Sequence, residues 1–144
     1  MNLISYRKAK NSDLPYVFNS KLKAMRADFA TMRTSIFFDT YRPKVQELVA
    51  NSDILIACFK NDPDLIYGYV IYTKLEDILI IHWINVKLPF RRMGLATKML
   101  EQLGKKKDDP AFSTYNSKYK EAAERHFIKF KPDLRGFYVK SGRD

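Results

Sequence analysis

The sequence predicts a mixed α/β (α+β) fold: one central, mostly antiparallel sheet with helices on both faces. Three observations carry that expectation. Apolar residues recur at helical spacing from Leu14 to Phe29, after Thr40, and from Leu95 to Leu103. Between the second and third of these stripes, three β-rich runs are joined by connections short enough for antiparallel hairpins. The elements follow one another as strand, two helices, three strands, helix, strand, helix and one or two strands. That mixed order is accommodated by a single sheet covered on both sides.

Each element has a local cause. Residues 3–8, Leu-Ile-Ser-Tyr-Arg-Lys, read as a first strand. Ser12 or Asn11 can cap the first helix, with Asp13 in its first turn and Pro15 where a missing N–H costs little. Leu14, Val17, Phe18, Leu22, Met25 and Phe29 form its buried stripe. A second helix is expected after Thr40, with Pro43 in its first turn and Tyr41, Val45, Leu48 and Val49 on one face; Asn51-Ser52-Asp53 ends it. The three strands are Ile54–Phe59, Ile66–Thr73 and Ile78–Val86, with Asn61–Asp64 and Lys74–Asp77 as turns. A helix beginning near Gly94 buries Leu95, Met99, Leu100 and Leu103, and Gly104 stops it. The run Lys105–Asp109 then faces solvent. Pro110–Tyr115 is a weak strand, Ser117 to about Phe127 a helix, and Ile128–Phe130 and Phe137–Lys140 candidate last strands.

Composition narrows the class. The 144 residues suit one domain over 1–144, and at 46% hydrophobic and 14% aromatic they can bury a sizeable core. The longest apolar runs, such as Ile78–Ile81, fall far short of the ~18 residues of a membrane span. No apolar stretch near the N-terminus has signal-peptide length. The one cysteine, Cys58, sits in an apolar run, so it reads as a small core residue and not a nucleophile. Expected, then, is a soluble protein of a reducing, cytoplasmic compartment, a monomer or homodimer, with no membrane role. No His/Cys/Asp/Glu cluster has metal-ligand spacing. Charge is uneven: 11 basic and 9 acidic residues over 1–86, against 15 and 7 over 87–144. Such asymmetry favours an anionic partner for the second part: a phosphorylated cofactor, nucleic acid or an acidic protein surface. The alternative is a solvated face.

The informative segment follows the strand that ends at Val86. The chain turns through Lys87-Leu88-Pro89-Phe90, and Arg91-Arg92-Met93-Gly94-Leu95-Ala96-Thr97 opens an amphipathic helix. This is an anion site in physical terms, because a helix N-terminus presents unpaired N–H groups and partial positive charge. Gly94 and Ala96 keep bulk away, and two arginines with Lys87 add charge. No Gly-Lys-Ser/Thr follows, so it is not a Walker loop, and a single glycine excludes a dinucleotide fingerprint.

Arg91-x-x-Gly94-x-Ala96 resembles the acetyl-CoA signature of the GNAT superfamily of N-acetyltransferases. Its context strengthens the match: a hydrophobic strand, Val86 five residues before Arg91, then a Leu/Met-striped helix. The opening Tyr6-Arg7-Lys8-Ala9-x-x-Ser12-Asp13-Leu14-Pro15 is similar to that family's first strand and helix, and the order of elements agrees over nearly the whole chain. The resemblance implies a three-layer fold and acetyl-CoA as cosubstrate, with no metal. It places Val86 and Lys87 on the pantetheine arm, and Arg91, Arg92, Met93, Gly94, Leu95, Ala96 and Thr97 around the pyrophosphate. It also implies transfer of an acetyl group to an amine of a protein, peptide or small molecule.

Two positions depart from the family's pattern. Where it often has a glutamate, four residues before the valine, this chain has His82. Where a tyrosine often serves as general acid, Phe127 stands, and a phenyl ring cannot donate a proton; Tyr119 is the substitute that could reach in. His82 can accept the amine's proton directly or through water, or it is a hydrogen-bonded residue of a buried strand. His126 reads as surface or core. Phe127 and the basic second part favour an alternative on the same fold: a degenerate binding protein for nucleic acid or an acidic partner. The aromatics Phe29, Phe37, Phe38 and Tyr41 fall where such folds line an acceptor groove.

Overall fold

Alternating apolar residues in the three central runs build one six-stranded sheet. In the computed structural model, which describes residues 3–106, 108–115 and 127–140, the strands are β1 (Ile4–Lys8), β2 (Asp53–Phe59), β3 (Asp62–Leu75), β4 (Ile78–Val86), β5 (Ala111–Ser113) and β6 (Ile128–Phe130). They lie in the order β1-β2-β3-β4-β5-β6. The first three pairings are antiparallel and the last two parallel. Helices α1 (Leu14–Asp28) and α2 (Thr34–Asn51) pack on one face over Ile54, Ile56, Tyr69 and Ile71. Helix α3 (Leu95–Gln102) covers the other, where Leu95, Met99, Leu100 and Leu103 meet Val70, Tyr72 and Ile81. The expected mixed α/β class and mostly antiparallel sheet are what the chain adopts. No described helix is long and apolar enough to cross a membrane.

Helix α2 begins at Thr34, seven residues before the expected start at Tyr41, and Pro43 lies inside it. A proline at that position leaves the Asp39 carbonyl without its helical donor. Asp39 and Pro43 are both exposed, so water can take the donor's place. The added turns are held by aromatic packing: Phe37 is fully buried, with the Tyr41 ring 5.2 Å away, and Phe29 stacks on Tyr41 at 4.8 Å.

The helix cap also differs in detail. Asn11–Asp13 form a 3-10 turn before α1, and Asp13 itself takes the N-cap position. Its carboxylate accepts two bonds from the Arg7 guanidinium, at 2.6 and 3.0 Å, and one from the Lys10 N–H at 2.7 Å. Arg7 also donates to the Pro63 carbonyl at 3.0 Å, so β1, the α1 entry and the start of β3 share one clasp. The Arg7 bonds hold the Asp13 carboxyl below its usual range, against a smaller opposing effect of burial. A carboxyl depressed in the folded state contributes stability that is complete above its unfolded value of ~3.9 and is lost as pH falls through the folded value. Arg7→Met should therefore cost about 3 kcal/mol at neutral pH in urea unfolding, and much less at pH 3. Equal losses at both pH values would remove the clasp from the account.

Three expectations about the C-terminal part change. Phe137–Lys140 is not a strand; it is extended chain laid against the α2 side, with Thr73 Oγ1 donating to the Phe137 carbonyl at 3.4 Å and Lys140 Nζ to the Ala50 carbonyl at 3.1 Å. Lys105, expected in solvent, is 7% exposed, and its ammonium donates to the Lys106 carbonyl. Phe127, expected at a helix end, occupies the turn into β6 with φ +59° and is exposed. The expected helix from Ser117 otherwise lies outside the described residues, as do Tyr119, His126, Lys107, Lys118 and Lys120.

Candidate active site

The site starts where two strands part. β5 pairs with β4 only at Ile80↔Phe112 and Ile81↔Ser113, and the last bond between them is Thr114 N–H to the Ile81 carbonyl at 3.0 Å. Among the described residues, β4 continues to Val86 paired with β3 alone. One edge of residues 82–86 thus borders a gap, and backbone groups on that edge can pair with an extended ligand as an added strand would.

Tyr115 stands at this gap. Its ring meets the Trp83 indole edge-on at 5.1 Å, and its hydroxyl is hydrogen-bonded to the Ile84 backbone. Burial pushes the phenol up to about 12, only partly offset by that bond. It stays protonated at neutral pH. Sequence patterning could not single out this tyrosine, because only the sheet topology brings it to β4.

Below the gap, the loop folds as its residue types require. Lys87 N–H still pairs with the Tyr67 carbonyl at 2.9 Å, and a 3-10 turn follows over Leu88–Phe90. Arg91 Nε then donates back to the Val86 carbonyl at 2.7 Å, bracing the loop on the strand end. Arg92 and Gly94 take left-handed backbone, φ +64° and +74°, and α3 starts at Leu95. The first helical bond is Lys98 N–H to the Gly94 carbonyl at 3.0 Å, so the N–H groups of Leu95, Ala96 and Thr97 open toward the loop. Left-handed residues beside a helix start turn successive amides into one concavity, a form suited to an anion. A Cβ built on Gly94 would meet nothing within 4 Å, so the chain leaves open space beside the loop at this residue. Arg91, Arg92, Met93 and Gly94 are exposed. The expected set Val86, Arg91–Thr97 is therefore gathered at one end of β4 and α3. Lys87 diverges, with its ammonium 5.2 Å from the Tyr16 ring on the α1 side.

His82 occupies a bulge. The register passes from Ile71↔Trp83 to Tyr72↔Ile81, leaving His82 as the extra residue of β4. Its Nε2 lies 2.9 Å from Thr73 Oγ1 and its Nδ1 3.0 Å from Thr114 Oγ1, and the Tyr138 ring packs edge-on at 5.3 Å. The residue is 3% exposed, and burial lowers its pKa to about 4. Both nitrogens are thus occupied by hydroxyls that join β3, β4 and the end of β5.

The α1 side of the same strand carries a second polar group of residues. Tyr69 Oη and Asn85 Nδ2 both donate to Ser20 Oγ at 2.9 Å, tying α1 to β3 and β4. The next residue, Lys21, lies over the Trp83 indole, 3.6 Å from its centroid. Helical periodicity did not mark Lys21, since a lysine is read as outward-facing. Among the described residues no group of three His, Cys, Asp or Glu could hold a metal ion.

No protein-family model matches the chain, and no curated protein matches it by sequence. Solved structures do. A possible acetyltransferase from Clostridium difficile 630 is similar at a TM-score of 0.55 and 16% identity, over 85% of both chains. An aminoglycoside acetyltransferase from an uncultured soil sample, in complex with sisomicin, gives 0.53 at 19% identity over 88% of both. AAC(6')-Iy, in complex with the bisubstrate analogue CoA-S-monomethyl-acetylneamine, gives 0.51 at 11% identity, over 87% of this chain and 88% of that one. The chain shares its fold with these acetyltransferases.

Proposed function

We propose that this chain is an acetyl-CoA-dependent N-acetyltransferase acting on an amine-bearing acceptor. The observation that carries the reading is the conjunction of the β4–β5 gap with the left-handed loop at the start of α3. An extended arm and the diphosphate that follows it need these two features at one strand end. The residues present fit CoA: amides of Leu95, Ala96 and Thr97 with Arg91 and Arg92 for the pyrophosphate, and the edge of β4 from His82 to Val86, where Tyr115 and Arg91 now bond the Ile84 and Val86 backbone, for the pantetheine. The CoA-containing complex of AAC(6')-Iy, on the same fold, supports that choice.

When bound, acetyl-CoA supplies an already activated thioester carbonyl. The chain's task is orientation, polarisation of that carbonyl and proton management. Tyr115, protonated and beside the Ile84 amide, is the group we assign as acid for the departing thiolate, the role that Phe127 cannot fill. Tyr115→Phe should lower turnover on the order of 10²-fold while leaving acetyl-CoA affinity within about 3-fold. His82, enclosed and bonded at both nitrogens, is assigned a positioning role: it fixes the bulge that aims Trp83 and Ile84. The acceptor's proton then leaves to water.

Linkage gives this assignment a sign. A histidine held neutral with a folded pKa of about 4 contributes stability that is present above its unfolded value of ~6.5 and lost as pH falls toward the folded value. His82→Gln should flatten the loss of stability between those values and leave the pH–rate profile near neutrality unchanged. An ascending limb near pH 6.5 that disappears in His82→Gln would make His82 the base instead. The proposed activity itself is tested by thiol release from acetyl-CoA over a panel of amines. No release above background with any amine class, despite CoA binding, would favour the binding-protein alternative. Lys105 is buried, with its ammonium on the Lys106 carbonyl, and so adds no exposed charge for that alternative.

A further inference from the structure

Lys21 sits on the sheet-facing side of α1, between the buried Val17 and Leu22, at a position where an apolar side chain would be expected. It is 7% exposed. Its ammonium rests on the Trp83 ring, and among the described residues no carboxylate or carbonyl lies within hydrogen-bond or ion-pair reach of it. The charged groups that act on it are Asp28, two turns further along α1, and Arg135, from the segment after β6. Arg135 is anchored nearby by its Nε bond to the Thr114 carbonyl, 2.8 Å. Among the described residues, these two cations and one acid leave the seam between α1 and β4 net positive. Burial lowers the Lys21 pKa to about 8, Asp28 opposing the shift and Arg135 adding to it.

Among the described residues this buried charge has no counter-ion in contact, only Asp28 two turns away, which is costly; a methionine would fill the same space with no such cost. The cost is met if the counter-charge arrives with a ligand. The place is suited to that, because the indole under Lys21 is the one whose edge meets Tyr115 at the β4–β5 gap. Resting on the acetyl-transfer reading, we infer that Lys21 anchors an anionic group of the acceptor, so that the substrate is an amine carrying a carboxylate. The carboxylate lies on the Lys21 ammonium across the Trp83 face, and the amine points to the gap. A polycationic acceptor such as the aminoglycoside bound by the soil-derived enzyme would meet Lys21 and Arg135 as like charges. This site selects against it.

Trp83 is the only tryptophan in the chain, so its fluorescence reports on Lys21 directly. The experiment titrates the full chain, with and without CoA, with glycine, β-alanine and 4-aminobutyrate, and with the matched amino alcohols. At least one amino carboxylate should quench or enhance Trp83 saturably, ~10-fold more tightly than its alcohol. Lys21→Met should abolish the discrimination, Lys21→Arg should keep it, and neither should change the thermal shift given by CoA. A second readout needs no variant: if Trp83 fluorescence follows the Lys21 ammonium, its pH midpoint should rise with the carboxylate bound, because an anion favours the ammonium. Equal response to acids and alcohols, no saturable response to any acid, or an unmoved midpoint would overturn the inference. A CoA shift that persists through those outcomes leaves the cofactor site standing, whereas loss of the CoA shift alone counts against the acetyl-transfer reading and not against Lys21.

Discussion

Gly68→Ala is expected to lower stability by about 3 kcal/mol, roughly 10 °C in Tm, although it adds one methyl group to a strand. Gly68 faces Val86 across the β3–β4 ladder, and a Cβ there would stand 2.7 Å from the Asn85 carbonyl oxygen and 3.2 Å from the Val86 Cα. Both are backbone atoms, so no side-chain rotation relieves the overlap. The strands must separate at the very residues that end the ladder and start the cofactor loop. Acetyl-CoA affinity should fall along with stability, and thermal melts with and without the ligand measure both. A variant within about 0.5 kcal/mol of the parent would mean that β3 and β4 do not depend on this close approach.

Gly94→Val should weaken acetyl-CoA binding on the order of 10²-fold, equivalent to about 2–3 kcal/mol. The cause is backbone geometry as much as bulk. At φ +74° a β-branched residue is strained, while the space around the new Cβ is open on the protein side. The helix start would rotate out of the left-handed turn, and the amides of Leu95–Thr97 would no longer converge. Gly94→Asn separates the two effects, because asparagine tolerates the left-handed region. It should keep α3 intact and retain most of the affinity. Equal binding by Gly94→Val and the parent, measured by calorimetry, would show that the loop is not the diphosphate site.

The two ends of the site differ in how far the sequence exposes them. The loop from Val86 to Thr97 is legible because its chemistry is local: strand end, left-handed glycine and helix start are consecutive in the chain. The α3 stripe is legible for the same reason, and Leu95, Met99, Leu100 and Leu103 are all buried. Proline misleads at Pro43, where a residue that often starts helices is instead carried on the exposed side of one already formed. Tyr115 and Lys21 lie 32 and 62 residues from Trp83, on opposite sides of it in sequence, and only the sheet with its covering helix brings them to one indole. Charge misleads twice: Lys105 and Lys21 are both buried, the first satisfied by a neighbouring carbonyl and the second left on an aromatic face. His82 is found by its position but not by its role, since the bulge and the two threonines that enclose it come from three different elements.

The central claim is that the β4–β5 gap and the α3 loop together bind CoA, and ligand-dependent melting tests it most directly. With acetyl-CoA at a hundred times its Kd, the parent should gain ~2.7 kcal/mol and melt several degrees higher. The same concentration should do little for Gly94→Val. An unchanged Tm for the parent at every acetyl-CoA concentration, or an equal rise in the parent and in Gly94→Val, would contradict the account.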